Sequence, residues 1–106
     1  MELDHAELQE MLANDPYMLL VDVRYEEEFD AGHIPGAGNM SVDDIVDCLF
    51  DEALGERGLD AIANGKGMEL SDDASVIVLY SNAGERSARA CEHMESLGYV
   101  NVYNAP

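Results

Sequence analysis

The segment Ser81-Asn82-Ala83-Gly84-Glu85-Arg86 concentrates the residue types in this sequence that can hold an anion and act on it. It follows the apolar run Ser75 to Tyr80 and precedes a stretch with helical spacing, so it reads as a strand-to-helix loop. Ligands of an open parallel sheet bind beyond the carboxyl ends of its strands, which is where such a loop lies. Its backbone N–H groups can curl into a concave anion-binding nest, and the helix N-terminus adds positive potential. Gly84 permits the curl, and Ser81 at the strand end would point its side chain into the cradle. Arg86 either faces the anion or clamps the loop to carbonyls or to a carboxylate such as Asp22. A thiol at position 81 would have its pKa drawn below the usual value of about 8.5 and would be a good nucleophile. An alcohol is a much weaker acid that needs an adjacent base, and no histidine is placed for that role.

The other reactive side chains suggest no second chemistry. Asp22 and Arg24 read as a charged pair at a strand end that holds the following loop, and Ser87 opens the helix after Arg86. His33 reads as a turn residue bonded to backbone. Cys48 and Cys91 lack CxxC spacing and read as reduced thiols on helices, with Cys91 held away from the loop. His5, His33 and His93 show no metal-ligand spacing with each other or with the cysteines, so neither a metal nor another cofactor is expected.

The elements that must position the loop can be followed along the chain. Asp4 is a good N-cap with Glu7 as its capping-box partner, Leu3 and Leu8 are placed to staple, and Asn14-Asp15-Pro16 ends that helix. Met18 to Val23 is a nearly continuous apolar run that suits a strand buried on both faces. An acidic turn of helix spans Tyr25 to Phe29, and Ala31 to Gly38 is turn chemistry leading into a brief strand at Asn39-Met40. Ser41 can cap a helix with Ile45, Cys48 and Leu49 inside and Asp43, Asp44 and Asp47 outside. The glycine-rich stretch from Gly55 to Asp73 reads as a loop with one helical turn around Leu59 and Ile62. After the loop, a helix from Ser87 to Leu97 directs Ala88, Cys91, Met94 and Leu97 to a core. Gly98 stops it, and Val100 to Tyr103 forms a last strand. Strands alternating with helices predict an α/β domain with a mainly parallel sheet.

The chain has 106 residues, enough for one domain spanning 1–106, with 47% hydrophobic and 26% charged residues. Its apolar runs fall far short of the roughly 20 residues of a membrane helix. The acidic first residues do not resemble a secretory signal, so a cytoplasmic protein is expected. Twenty-three acids against five bases give a net charge of −18. That field opposes nucleic acid and anionic membranes as partners and slows the approach of small anions. It suits either a surface adapted to high salt or an acidic face for a basic partner, and the even spread of acids favours the first.

Three ordered stretches resemble the rhodanese family. Leu20-Val21-Asp22-Val23-Arg24, Glu28-Phe29 and Gly32-His33-Ile34-Pro35-Gly36-Ala37 resemble its N-terminal signature. Val78 to Ala88 resembles its active-site strand, loop and helix start, and Leu97 to Asn104 its sequel. The resemblance implies a mainly parallel five-stranded sheet flanked by helices on both faces. It also implies a loop cysteine that takes sulfane sulfur from a thiosulfate-like anion as a persulfide and passes it to a thiol acceptor. Ser81 falls where that cysteine belongs, Asn82 where many active members carry a base, and Glu85 adds negative charge. Ala83, Gly84 and Arg86 complete the anion-binding loop.

Two functions are therefore expected to compete. One is a rhodanese-type sulfurtransferase that is inactive as written because its nucleophile is Ser81. The other is a non-catalytic module that binds a small anion or a protein partner. Relatives continue beyond the equivalent of Asn104 with a closing helix, whereas here Ala105-Pro106 follows, so a sheet face with an uncovered apolar patch is also expected.

Overall fold

The two longest apolar runs become the centre of the sheet. In the computed structural model, which describes residues 2–15, 17–71 and 73–105, β1 (Met18–Asp22) pairs in parallel with β3 (Val76–Tyr80), from Met18↔Val76 to Asp22↔Tyr80. β2 (Gly38–Asn39) joins the outer side of β1, and β4 (Val102–Ala105) joins β3, both in parallel. Among the described residues the sheet has four strands in the order β2-β1-β3-β4, not five. At the β4 edge a single parallel bridge, Glu2↔Asn104, stands beside the sheet, with Leu3 N–H donating to Asn104 O at 2.8 Å. The next residues turn at once into a helix, so pairing there extends no further.

Helices cover both faces, as expected. α1 (His5–Asn14) begins with the anticipated reciprocal cap: Glu7 N–H donates to Asp4 (2.7 Å) and Asp4 N–H to Glu7 (3.1 Å). Leu3 and Leu8 pack from this side against Met18, Leu20, Val78, Tyr80 and Ala105. Those strand residues are at most 7% exposed, so this face shows no bare apolar patch on them. Pro16 and Pro106, read as part of a helix stop and as the residue after the last strand, lie outside the described residues.

The opposite face carries the larger core. The short helix α2 (Glu26–Ala31) comes after β1 and buries none of its residues. Leu19, Val21, Ile77, Leu79 and Val102 meet side chains from α3 (Val42–Asp47), α4 (Asp51–Leu54), α5 (Asp60–Gly65) and α6 (Glu85–Ser96). Each fully buried aliphatic side chain there stabilises the fold by about 1.5–3 kcal/mol. The stretch expected as a loop from Gly55 is mostly helical to Gly65. A wide turn, Gly55–Leu59, links α4 to α5 and breaks at Gly58, where φ reaches 179°. Leu54, Leu59 and Ala63 are fully buried, and Ile62 packs so closely on Gly38 that a Cβ there would lie 2.7 Å from it. Tertiary burial overrides the weak helical propensity of a glycine-rich run.

Several boundaries also move. α3 stops at Asp47 because Cys48 is extended (φ −76°, ψ 132°), which buries Cys48 but leaves Leu49 79% exposed rather than in the core. α6 starts two residues early, at Glu85, and Ala90 rather than Ala88 is its fully buried alanine. Gly98 has the left-handed φ of 104° that its role as helix stop requires. The final strand begins at Val102 instead of Val100.

Candidate functional site

Ser81 leaves the end of β3 at the carboxyl edge of the sheet and is 6% exposed. Its Oγ accepts from Ser87 N–H at 3.2 Å and lies 3.1 Å from Ser87 Oγ. Ser87 Oγ bonds in turn to Asn104 Oδ1, and Asn104 Nδ2 donates to Gly84 O at 3.3 Å. One donor order satisfies the chain: Ser81 O–H to Ser87 Oγ, Ser87 O–H to Asn104, and the Asn104 amide to the loop carbonyl. Ser87 and Asn104 are themselves buried, at 0% and 5% exposure. Among the described residues the Ser81 hydroxyl is held by hydroxyl and backbone groups, with no histidine or carboxylate among its partners.

Gly84 turns the loop with φ +81°, a conformation open to glycine at little cost, and its carbonyl accepts from Ala88 N–H at 3.0 Å. α6 starts immediately afterwards. Among the described residues, the backbone N–H groups of Asn82, Ala83, Gly84, Glu85 and Arg86 find no protein acceptor. A run of unsatisfied amides at a loop and helix start is the arrangement that binds an anion.

A charged network closes the mouth of the loop. Arg24 grips Asp22 through Nε (2.9 Å) and Nη2 (2.7 Å), and Nη2 also bonds Gly32 O at 2.6 Å. Arg24 Nη1 reaches Asn82 Oδ1 at 3.2 Å, and Asn82 Nδ2 reaches Glu28 at 3.4 Å. Arg86 makes a two-pronged pair with Glu28 at 2.7 and 3.0 Å. Its guanidinium lies 5.8 Å from the centre of the Tyr25 ring, whose hydroxyl donates to Asp43 at 2.8 Å. The Arg86 hydrogen bonds pull the Glu28 carboxyl down to about 2, and Glu28 in return raises Arg86. The Asp22 hydrogen bonds likewise raise Arg24.

The sequence-predicted residues Ser81, Asn82, Ala83, Gly84, Glu85, Arg86 and Ser87 form one loop and helix start, with Arg24 bonded across to it. Asp22 and Arg24 form the expected pair. Of the two roles open for Arg86, the clamp is seen, but its carboxylate is Glu28 rather than Asp22. His33 bonds Phe29 O through Nδ1 at 2.9 Å and stacks on the Phe29 ring, as a turn residue should. Cys91 is buried in the core, which pushes its thiol up to about 12 and leaves it unreactive. Both cysteines are free thiols.

Glu28 and Asn104 are the site residues that sequence reasoning passed over. Asn104 carried a readable signal: it shares the Val102 face of a strand, where a polar residue must find a partner. Glu28 was noted only within the family-like pair Glu28-Phe29, and its run of three glutamates gave its carboxylate no particular role.

A parallel sheet that presents a strand-to-helix loop of open amides belongs to the class of α/β domains built to hold an anion beyond the carboxyl ends of their strands. The chain belongs to the Rhodanese-like domain family, whose match covers residues 4–105. It is similar to the thiosulfate:glutathione sulfurtransferase of Homo sapiens, 33% identical over 92% of this chain and 80% of that protein. The structure of the human single-domain sulfurtransferase TSTD1 superposes with a TM-score of 0.74 at 28% identity, covering 98% of this chain and 87% of that one. The HTH-type transcriptional regulator Rv0324 of Mycobacterium tuberculosis (strain ATCC 25618 / H37Rv) is 44% identical over 52% of this chain, a match that spans only 24% of the regulator. Among the described residues no helix is long and apolar enough to cross a membrane, and no cluster of His, Cys, Asp or Glu could hold a metal ion.

Proposed function

We propose that this rhodanese-like domain, read as a single unit over 1–106, performs no sulfur transfer as it stands and retains a loop able to hold a small anion. The observation that carries the reading is Ser81 where the family resemblance puts the sulfur-carrying cysteine, its oxygen engaged by Ser87 and, among the described residues, hydrogen-bonded to no base. In the family's reaction a thiolate attacks the outer sulfur of thiosulfate. A new S–S bond forms, the old S–S bond breaks, and sulfite leaves with the electron pair. An acceptor thiolate or cyanide then takes the outer sulfur and restores the cysteine thiolate. A neutral serine hydroxyl supplies neither the nucleophile nor the stable persulfide.

Sulfur transfer from thiosulfate to cyanide and to glutathione is the direct test, run on the unaltered chain and on Ser81→Cys. No turnover is expected from the unaltered chain, and turnover is expected from the cysteine variant. Turnover by the unaltered chain sinks the reading. The amides of 82 to 86 should still bind thiosulfate weakly, seen as amide shifts confined to that loop.

A further inference from the structure

We propose that the end of the domain opposite the Ser81 loop docks a cationic peptide segment carrying bulky apolar side chains. Three large apolar side chains stand in solvent at that end: Leu49 at 79% exposure, Phe50 at 56% and Val100 at 58%. They come from distant parts of the chain and are brought together by specific bonds. Tyr99 O–H reaches Asp51 O at 3.5 Å, which sets Val100 and Phe50 on either side of that contact. His93, in the last turn of α6, bonds Cys48 O and holds the segment that begins at Leu49.

A groove of about 430 Å³ is lined by Asp51 and Tyr99, the chain neighbours of Phe50 and Val100, and by Leu70. Asp51, Glu52, Glu56 and Asp60 bring four carboxylates to it, with Gly55 and Ser71 between. Among the described residues none of these four carboxylates is in an ion pair, and the one base in the same run, Arg57, is turned to Asp44 at 3.3 Å. Acids are spread over the whole surface, so charge alone would mark no particular place. The coincidence of exposed aliphatic and aromatic groups with an unneutralised acidic groove does mark one, because it complements both halves of a basic, amphipathic segment. A second copy of this chain is a poor occupant, since each carries a net charge of −18.

The test uses the whole chain and a fluorescent peptide of alternating arginine and leucine, with glutamate replacing arginine in the control peptide. Binding of the arginine peptide is read by anisotropy, and its site by amide shifts at 49–56 and 99–100. The double variant Leu49→Ser/Phe50→Ser should weaken binding about tenfold or more, as loss of buried apolar anchors does. Glu52→Gln/Glu56→Gln should weaken it too, whereas Glu26→Gln/Glu27→Gln at the other end should not. Absence of binding, or equal weakening by the Glu26/Glu27 variant, overturns the proposal in favour of diffuse charge attraction. A dimer that disappears in Leu49→Ser/Phe50→Ser overturns it in favour of self-association.

Discussion

The two ends of the sheet solve the same problem of exposed polar and charged groups in opposite ways. At the carboxyl end the arginines are spoken for: Arg24 by Asp22, Gly32 and Asn82, Arg86 by Glu28. The hydroxyls and amides behind them close into a buried chain through Ser81, Ser87 and Asn104. At the amino end the carboxylates of Asp51, Glu52, Glu56 and Asp60 have no ion-pair partner among the described residues, and Leu49 and Phe50 stand out of the core. Shape at the first end is fixed from within. The second end has little internal reason for its exposed side chains.

Substitutions at the two ends should therefore differ sharply in their cost to folding. The largest loss is expected for Asn104→Ala, which removes the Ser87 hydroxyl's bond to Oδ1 and one bond to the Gly84 carbonyl in a buried place, leaving that hydroxyl only the 3.2 Å bond to Gly84 O as an outlet. Denaturant unfolding should show a decrease of about 1–3 kcal/mol. An effect near zero would mean that water replaces the asparagine and that the network is not closed. Ser81→Ala removes the acceptor for Ser87 N–H, and about 1 kcal/mol is expected in the same assay.

Glu28→Gln tests the clamp through pH. The folded carboxyl is lowered from the ordinary 4.5 to about 2, so the unfolded state binds its proton first as acid is added. The pair's contribution is therefore complete above about pH 4.5 and is lost as the pH falls toward 2. Unfolding curves of the glutamine variant should be flatter across that window than those of the unaltered chain. Identical slopes would show that solvent already screens the pair, whose partners are about one-third exposed. The smallest effect is expected at the other end. Leu49→Ser/Phe50→Ser should change stability by no more than about 0.5 kcal/mol. A larger loss would show these side chains to be part of the core after all.

Legibility in the sequence followed the strength of local signals. β1 and β3 were readable because their apolar runs are continuous, and α1 because Asp4 and Glu7 form a reciprocal cap. The α4-to-α5 run was not, since its glycines and acids mask a buried stripe of Leu54, Leu59 and Ala63 that only tertiary packing makes helical. The fifth strand expected from the family resemblance shrinks to the Glu2–Asn104 bridge because Asp4 starts a helix two residues later. At the site, the loop residues were legible from order and spacing. Their partnership with Glu28 and Asn104 was not: bonds spanning 58 and 17 residues leave no pairing pattern, and the strand position of Asn104 showed only that it needed some partner.

The bond from Ser87 N–H to Ser81 Oγ has one more consequence. Glu85 and Arg86 are the first two residues of α6, so Ser87 is the third, and its amide is one of those the helix cannot satisfy internally. Gly84, in the capping position, has no side chain to offer. Ser81 supplies the missing acceptor from six residues back, working as a capping group borrowed from the strand. The residue at the proposed nucleophile position is thus part of the scaffold, and a cysteine there would exchange a helix anchor for a reactive group.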